Sequence, residues 1–251
     1  METKVIAFGN HKGGVGKTTT TASVGGILAS KGFKVLLVDF DPQANLTFSM
    51  LGGEQEVSSY DSLIKREPLP RVNVSENLDI VPSSLDLEYA EMELISTFSR
   101  ETILKKLLQP IKNEYDFVLI DCRPSLTLLT MNAFAASTDI IVPLVPEALP
   151  LNGLKKINEY IVKVQENLTP ETHLTGVLVT KVETNNHHKS IETELRSVLG
   201  DLVFKTKIRK NITLADATLE SKDIMRFNPK CNGALDYQAF TVELLEKLGK
   251  K

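Results

Sequence analysis

The sequence predicts an α/β protein built on a single doubly wound, mostly parallel sheet with helices on both faces. Two observations predict this fold. Short apolar runs alternate with helical patterns along the 251 residues, as expected when crossover helices join parallel strands. The runs are continuously apolar, as in VLLV at 35–38 and FVLI at 117–120. Such runs are typical of strands that are covered on both faces.

The first predicted unit is a strand, a glycine-rich loop and a helix. Val5–Phe8 is a short apolar strand, and residues 9–20 read GNHKGGVGKTTT. Thr19–Ser30 has apolar residues at helical spacing and ends before Gly32. Val35–Phe40 is the second strand, so this part of the chain is predicted to form a right-handed βαβ unit.

The later elements follow from the same patterns. Helices are predicted at Tyr60–Arg66, Glu101–Lys112, around 153–165, Ile191–Leu199 and Ala234–Leu248. Strands are predicted at Leu78–Val81, Phe117–Ile120, Ile140–Val145 and Gly176–Thr180. The closing helix is expected to bury Leu235, Phe240, Leu244, Leu245 and Leu248. No repeat or linker is visible, so residues 1–251 are predicted to form one domain.

Composition excludes several classes of protein. Apolar residues make up 42% of the chain and charged residues 24%, which are ordinary globular values. The chain has only two cysteines, which does not indicate a disulfide framework. No apolar run approaches the roughly 18 residues of a membrane span. No signal peptide is visible, so we expect a cytoplasmic protein. The net charge of −3 gives no overall attraction to nucleic acid, so DNA binding would need a local basic patch.

The loop at 9–20 predicts a phosphate-binding site. Its glycines allow tight turns, so that several backbone N–H groups and the following helix N-terminus face one anion. Lys17 adds a cation, and Thr18 adds a hydroxyl suited to Mg²⁺. The usual pattern GxxxxGK[ST] fails at His11, and a second lysine, Lys12, follows it. The residues expected to contact phosphate are Lys12, Gly13, Gly14, Val15, Gly16, Lys17, Thr18 and Thr19.

Three aspartates follow apolar strands and are candidates for metal chemistry. Asp121 ends FVLI, the arrangement that delivers a carboxylate to Mg²⁺ in P-loop proteins. Asp39 and Asp41 end the second strand, where a turn cap is the alternative to a functional role. Because both aspartates lie next to a phosphate loop, a functional role is favoured. We expect Asp41 to position the attacking water and Asp39 to support the metal indirectly.

Other residues are open to two interpretations. Lys181 follows the strand GVLVT and either approaches the base or is solvated. The basic stretch at 205–210, with Lys205, Lys207, Arg209 and Lys210, is either a solvated face or a binding surface. His187 and His188 lack metal-ligand spacing and are predicted to lie at the surface. Cys122 is predicted to pack in the interior.

Five ordered segments resemble those of the ParA/Soj family of DNA-partitioning ATPases, within the MinD-like deviant Walker group. They are KGGVGKTT (12–19, the deviant Walker A), VDFDPQANLT (38–47), FVLIDCRPSL (117–126, Walker B), IRKNITLADA (208–217) and NPKCNGALDY (228–237). The resemblance covers nearly the whole chain.

The resemblance implies a P-loop ATPase with ATP and Mg²⁺ as cofactors. Two subunits would enclose two ATP molecules, and Lys12 of each would reach the other's phosphates, so that charge is neutralised only when the dimer forms. The metal would be served by Thr18, Asp41 and Asp121, with Asp41 positioning the water. The base would be held by Lys181, Ile208 and Asn211.

The same resemblance implies partners. The ATP-dependent homodimer would bind DNA non-specifically and join the nucleoid, and a ParB-type protein would stimulate its weak ATPase activity. DNA-binding candidates are Lys205, Lys207, Arg209, Lys210 and Lys230. A non-specific footprint needs only phosphate contacts, so a local patch can suffice. Because the chain begins at its first strand, the N-terminal helix-turn-helix of longer plasmid relatives is not expected.

Four positions depart from the family pattern. His11 stands where relatives often carry Gln, in a position expected to face the surface. Ala44 replaces a Gly in the loop after the second strand, switch I. Arg123 replaces a Pro in the loop after Asp121, switch II, where it either changes the loop's rigidity or reaches the partner subunit. Arg209 replaces a Pro beside the base.

Three alternative functions remain open. A MinD-like membrane-cycling ATPase would need an amphipathic tail, and only Gly249, Lys250 and Lys251 follow the closing helix. A nitrogenase-reductase-like iron–sulfur protein would need paired cluster cysteines, which Cys122 and Cys231 do not resemble. A ParA relative that positions another cargo has the same sequence pattern, because the partner sets the cargo.

Overall fold

Eight strands form one sheet in the computed structural model, which describes residues 2–147 and 150–250. The strands are β1 (Lys4–Phe8), β2 (Val35–Phe40), β3 (Val72–Ser75), β4 (Leu78–Val81), β5 (Phe117–Cys122), β6 (Asp139–Leu144), β7 (His173–Val182) and β8 (Val203–Arg209). Their order is β3-β4-β2-β5-β1-β6-β7-β8. Only the β3–β4 pair is antiparallel among these neighbours. The predicted mostly parallel sheet is confirmed.

Helices cover both faces of this sheet. They are α1 (Lys17–Ser30), α2 (Asn45–Leu51), α3 (Ser59–Lys65), α4 (Ala90–Glu93), α5 (Ile103–Leu108), α6 (Leu128–Ala136), α7 (Pro150–Asn167), α8 (Asn186–Leu199), α9 (Thr213–Leu219), α10 (Ile224–Phe227) and α11 (Asn232–Lys247). Within the described ranges, no helix is both long and apolar enough to cross a membrane.

Two apolar layers lie on opposite faces of the sheet. In β1, Val5 and Ala7 belong to one layer, whereas Ile6 and Phe8 belong to the other. The first layer includes apolar side chains of α6 and α7, and the second includes those of α1 and α11. Because both faces of each central strand are buried, those strands need apolar residues at every position, which explains their continuous runs.

The carboxyl ends of three central strands meet at one edge of the sheet. Asp121 on β5 is in register with Phe8 on β1 and with Asp39 on β2. The phosphate loop starts directly after β1, so the sheet brings this loop and the predicted acidic residues together. This is the place where open α/β sheets bind ligands.

Carboxylates of α11 cover part of the β8 edge. Lys205 and Thr206 donate their backbone N–H groups to the two carboxylate oxygens of Glu243, at 2.6 and 2.8 Å. Arg209 donates its backbone N–H to Asp236 at 2.9 Å. These side chains take up hydrogen-bonding groups that an added strand would otherwise use.

Two predicted details are wrong. The helix expected over Glu101–Lys112 is shorter, because α5 ends at Leu108, just before Pro110, whose ring cannot continue a helix. Short 3₁₀ turns flank α5 instead. Leu235, expected in the core, is 49% exposed, and Tyr237 on α11 is buried instead.

The basic stretch at 205–210 also proves to be mostly edge strand, since β8 runs from Val203 to Arg209. Its exposed positions carry charge, which hid the apolar alternation that predicts strands.

Candidate functional site

The glycine-rich loop has the backbone shape of a phosphate cradle. Gly14 and Gly16 have positive φ angles of 72° and 88°, a left-handed conformation that favours glycine. Gly16 is followed directly by α1, whose first residue is Lys17. The N-terminus of α1 therefore lies at the loop, where backbone N–H groups and the helix dipole favour an anion.

Two polar side chains that the sequence analysis did not single out hold the loop in place. Asn10 donates its amide to the carbonyl of Pro143 at 2.8 Å and accepts the backbone N–H of Lys12 at 3.0 Å. Thr180 donates its hydroxyl to the carbonyl of Val15 at 2.8 Å. A polar Asn just after a strand-ending Gly was the available signal for Asn10, because Asn often stabilises turns through its own side chain.

The two lysines of the loop have different environments. Lys17 is buried, and its Nζ donates to the carbonyl of Lys12 at 3.3 Å. Burial lowers the pKa of Lys17, while Asp121 opposes that shift. The side chain of Lys12 is 53% exposed and pairs with Glu147, which is also exposed. Lys17 therefore belongs to the interior of the site, and Lys12 lies at its surface.

His11 is less exposed than its sequence position suggested. Its side chain is partly buried, and its Nδ1 is a buried atom without a hydrogen-bond partner in the described residues. A Cβ on Gly153 would lie 2.6 Å from His11 Cε1, so α7 approaches His11 closely at a glycine. Burial, together with the charges of Lys156 and Lys12, lowers the pKa of His11. A neutral imidazole fits this contact.

Asp121 and Thr18 form the polar centre of the site. The hydroxyl of Thr18 donates to Asp121 Oδ2 at 2.6 Å. The other oxygen, Oδ1, is buried and has no hydrogen-bond partner within the described part of the chain. Burial, followed by the nearby charge of Asp39, raises the pKa of Asp121 well above its usual range.

These groups fit a bound Mg²⁺. Hydroxyl and carboxylate oxygens are the ligands that Mg²⁺ prefers, and Asp121 Oδ1 is an orphaned acceptor beside Thr18. In residues 2–147 and 150–250, no group of three or more His, Cys, Asp or Glu side chains forms a metal site. Mg²⁺ usually takes one or two protein ligands beside phosphate oxygens and water, and Thr18 and Asp121 can supply two.

The hydrogen bonds of Asp39 hold switch I. It is fully buried, and its Oδ2 accepts both the backbone N–H and the hydroxyl of Thr47, each at 2.7 Å. Burial raises the pKa of Asp39 to about 7. The structure thus gives Asp39 a defined role, to anchor the first turn of α2 beside the site.

Asp41 lies nearby in the same loop. Its side chain accepts the backbone N–H of Gln43 at 3.1 Å, and its carbonyl accepts the hydroxyl of Ser83 at 2.8 Å. Asp41 is buried, but it is close enough to influence the pKa of both Asp121 and Lys17. Ser83, which sequence reasoning missed, also donates its N–H to Thr47 Oγ1 at 2.9 Å.

A cavity of about 630 Å³ adjoins the phosphate loop at Gly16 and Thr19. The residues predicted to hold the base, Lys181, Ile208 and Asn211, all line it. Its lining is mostly apolar, and its volume is within the range typical of small-molecule sites. Lys181 takes a left-handed backbone conformation there, with φ of 51°. The cavity suits a flat aromatic ring system beside the phosphate cradle.

The predicted DNA-binding cations are largely engaged within the chain. Lys207 pairs with Glu192 at 2.8 Å, and Arg209 pairs with Asp236 at 2.7 Å. Lys210 pairs with Glu183 at 2.7 Å. The stretch at 205–210 is therefore not a free basic patch. Lys205 and Lys230 are not engaged in such pairs in the described residues.

Arg123 is tied to its own chain. Its Nη1 lies 3.4 Å from Glu91 Oε1 on α4, and the same oxygen accepts the backbone N–H of Leu129 at 3.3 Å. Of the two roles considered for Arg123, this geometry favours a change in the rigidity of switch II. Glu91 thereby connects α4 to switch II and to α6.

Known proteins are similar to this chain over most of its length. A family model described as "AAA domain" (AAA_31) matches residues 3–174. The sporulation initiation inhibitor protein Soj of Bacillus subtilis is 41% identical over 242 residues, covering 93% of this chain and 95% of its own. The chromosome-partitioning ATPase Soj of Treponema pallidum is 36% identical over 252 residues, covering 99% of both chains.

Solved structures also match this fold over nearly the whole chain. A crystal structure of cobyrinic acid a,c-diamide synthase from Mycobacterium smegmatis, with bound ATP analogue and magnesium, matches with a TM-score of 0.87. It is 33% identical, and the match covers 99% of this chain and 96% of that one.

Ala44 in switch I generates a stability prediction. Its φ and ψ are 50° and 31°, a left-handed conformation that a Cβ makes costly. We expect Ala44→Gly to raise the free energy of unfolding by roughly 0.5–1 kcal/mol, because the relieved strain exceeds the added flexibility of the unfolded chain. Urea denaturation measures the change.

The matched control is Ala239→Gly, an exposed position in the middle of α11, where the backbone is helical. There the same substitution should lower stability by about 0.5–1 kcal/mol. Equal destabilisation by both substitutions would contradict strain at Ala44.

Proposed function

Because the chain belongs to the ParA/Soj family of partitioning ATPases, we propose that it is an ATP-dependent dimerisation switch for DNA partitioning. ATP and Mg²⁺ are its cofactors. The ATP-bound dimer binds DNA without sequence preference, and hydrolysis separates the subunits and releases the DNA. The observation that carries this proposal is the exposed second lysine of the phosphate loop, Lys12.

Lys12 is placed to serve a second subunit. Its side chain lies at the protein surface on an ion pair with Glu147, whereas Lys17 occupies the interior of the loop. An exposed ion pair contributes little stability, so a phosphate group can compete for Lys12. In the dimer, Lys12 of each subunit neutralises phosphate charge on the other's ATP, which makes ATP a ligand for dimerisation.

Different residues of the chain bind the phosphates of ATP and its Mg²⁺. The N-terminus of α1 and Lys17 hold the phosphate oxygens, because both supply positive potential in a buried setting. Thr18 and Asp121 would hold Mg²⁺. Bound there, the ion would supply positive charge against the phosphates. Asp121, whose pKa is raised by burial, would be favoured in its ionised form beside that charge.

Asp41 orients the attacking water. It is buried beside Asp121 and Lys17, and its backbone is fixed by Ser83. A carboxylate in this position can accept a hydrogen bond from water and align it with the terminal phosphate. Asp39 holds the first turn of α2 through Thr47, which fixes the loop that carries Asp41.

The adenine base occupies the cavity lined by Lys181, Ile208 and Asn211. Asn211 uses its amide oxygen to accept the backbone N–H of Thr213 at 2.9 Å. Its amide nitrogen is therefore the group available to a base, as a hydrogen-bond donor. The apolar lining supplies the remaining contact area for a flat ring.

DNA binding needs cations that the chain can spare. Lys205 and Lys230 supply them directly, whereas Lys207, Arg209 and Lys210 must first leave exposed ion pairs. Such pairs are weak, so DNA phosphates can replace the carboxylates. The same pairing also favours a second candidate function, in which this ATPase positions a cargo other than DNA. In the DNA-partitioning role, a ParB-type partner stimulates hydrolysis.

The first prediction concerns DNA affinity in different nucleotide states. Wild-type protein should bind DNA at least about tenfold more tightly with ATP than with ADP or no nucleotide, in the usual range of allosteric coupling. Lys12→Ala should abolish this difference in DNA affinity. Without Lys12, neither subunit neutralises the phosphates of the other's ATP, so ATP no longer favours the dimer. Fluorescence anisotropy with labelled duplex DNA measures both proteins, and Lys31→Ala is the control for loss of a surface lysine. Equal affinity of wild type in all states would overturn the switch. ATP-dependent dimerisation without any DNA binding would favour the other cargo.

The second prediction separates binding from hydrolysis. Asp41→Ala should still dimerise with ATP, but its single-turnover hydrolysis rate should fall by roughly 100-fold or more, because the attacking water loses its orienting group. Sedimentation and phosphate release measure the two steps. The partly exposed Asp61, which pairs with Lys65, provides the control Asp61→Ala. A monomeric Asp41→Ala in ATP would contradict the assigned role.

The third prediction concerns the ion pair that holds Lys12. Glu147→Gln should lower the dissociation constant of the ATP-bound dimer by about two- to fivefold, because Lys12 no longer has to leave a carboxylate. Sedimentation equilibrium with ATP measures this change. Glu166→Gln on the exposed side of α7 changes net charge equally and should have no effect. An effect of Glu147→Gln that persists in a Lys12→Ala background would show that Lys12 is not involved.

A further inference from the structure

The segment around α4 carries an unusually apolar surface. Leu85, Tyr89, Met92, Ile95 and Phe98 are between 54% and 98% exposed. We call these five side chains the α4 ridge. Their spacing is three or four residues throughout, which places neighbours on one side of a helical segment.

The local backbone keeps the ridge on one side. Met92 and Ile95 donate N–H groups to the carbonyls three residues earlier, Tyr89 and Met92, at 3.0 and 3.2 Å. Glu93 and Leu94 donate to the carbonyls four residues earlier, so the segment mixes α and 3₁₀ turns, and residues three or four apart share one side. The inward side chains of the same segment, Leu87, Ala90 and Leu94, are all buried in the core. The segment is therefore anchored below while its outer face remains apolar.

The ridge lies in an acidic surrounding. Asp86, Glu88 and Glu93 are exposed beside it, and Glu91 is partly exposed. The nearest cation along the chain is Arg100, which donates to the carbonyl of Ile95 and pairs with Glu101, so the acidic groups remain in excess. Negative charge of this density repels DNA and anionic lipid. It also opposes a symmetric contact with a second copy, because the same acidic surface would meet itself. An apolar and positively charged occupant is the complementary chemistry.

We propose that the α4 ridge is the docking surface for a cationic amphipathic helix of a partner protein, with Leu-type residues on one face and Lys or Arg beside them. The apolar side chains of such a helix would cover the ridge, and its cations would pair with Asp86, Glu88 and Glu93. This inference deepens the proposed function, on which it rests for the role of the partner, by assigning a surface and a chemistry to the activating protein.

The ridge is physically connected to the nucleotide site. Glu91 on α4 contacts Arg123 in switch II, two residues after Asp121. At the other end, Ser83 precedes the ridge by two residues and donates to the carbonyl of Asp41 at 2.8 Å. A helix seated on the ridge therefore bears on both loops that carry the acidic residues of the site. That connection gives an occupant a route to change hydrolysis.

The test uses the full chain and a synthetic peptide probe. The probe is a helix of about five turns with Leu on one face and Lys on the other, labelled for fluorescence anisotropy. The comparison peptide has the same composition in scrambled order. Binding is measured without nucleotide, so that its result does not depend on ATPase activity. We expect the amphipathic peptide to bind and the scrambled peptide to bind at least about tenfold more weakly, the cost of losing a few apolar contacts.

Variants locate the site. Ile95→Ser with Phe98→Ser should weaken binding by roughly tenfold or more, and Asp86→Asn with Glu88→Gln should weaken it mainly at low salt. Val198→Ser removes a 61% exposed apolar side chain on α8 and should change nothing. Both exposed double variants should keep the wild-type unfolding free energy. Equal peptide affinity of wild type and Ile95→Ser/Phe98→Ser would overturn the proposal.

Other occupants give different results. Self-association of wild type that Ile95→Ser/Phe98→Ser abolishes would assign the ridge to a second copy. Binding to vesicles of anionic and neutral phospholipid that the same variant loses would assign it to a membrane. Either result overturns the proposal. If wild-type protein binds the peptide but does not dimerise with ATP, that result counts only against the proposed function.

Discussion

The structure depends on placing buried carboxylates beside a buried lysine. Asp39 and Asp121 are in register on neighbouring strands, both without solvent exposure, and Lys17 lies close enough to influence Asp121. Burial raises the pKa of both aspartates, and the nearby charge of Asp39 adds to the rise at Asp121. A divalent cation offsets this repulsion. Without a cation, the buried carboxylates are unfavourable in free energy. Relief of that unfavourable free energy contributes to the affinity for a metal-bound anionic ligand.

The same constraint explains how the loops are supported. Asp39 cannot be left without partners at full burial, and Thr47 supplies two hydrogen bonds from the first turn of α2. Ser83 then ties Thr47 and the carbonyl of Asp41 together. Satisfying a buried charge therefore also fixes the position of switch I. A loop fixed in this way can respond as a unit when the charge at the site changes.

The sequence predicted the parts of the molecule that chemistry constrains locally. The continuous apolar strands, the loop at 9–20 and the strand-ending aspartates all carry their signal in neighbouring residues. The strand β8 was missed because its exposed positions are charged, and the helix over Glu101–Lys112 was overextended past the effect of Pro110. Thr180 and Ser83 act through partners that are distant in sequence, so no local pattern reveals them. For the same reason, the basic stretch could not show that its cations meet Glu192, Asp236 and Glu183.

The two edges of the sheet bear on how copies of this chain can meet. At β8, Glu243 and Asp236 occupy backbone N–H groups, and at the opposite edge β3 is only four residues long. Neither edge offers a long row of free hydrogen-bonding groups, so sheets of adjacent molecules cannot readily merge. Any contact between neighbouring molecules is thereby left to side chains, which are easier to change than a backbone ladder.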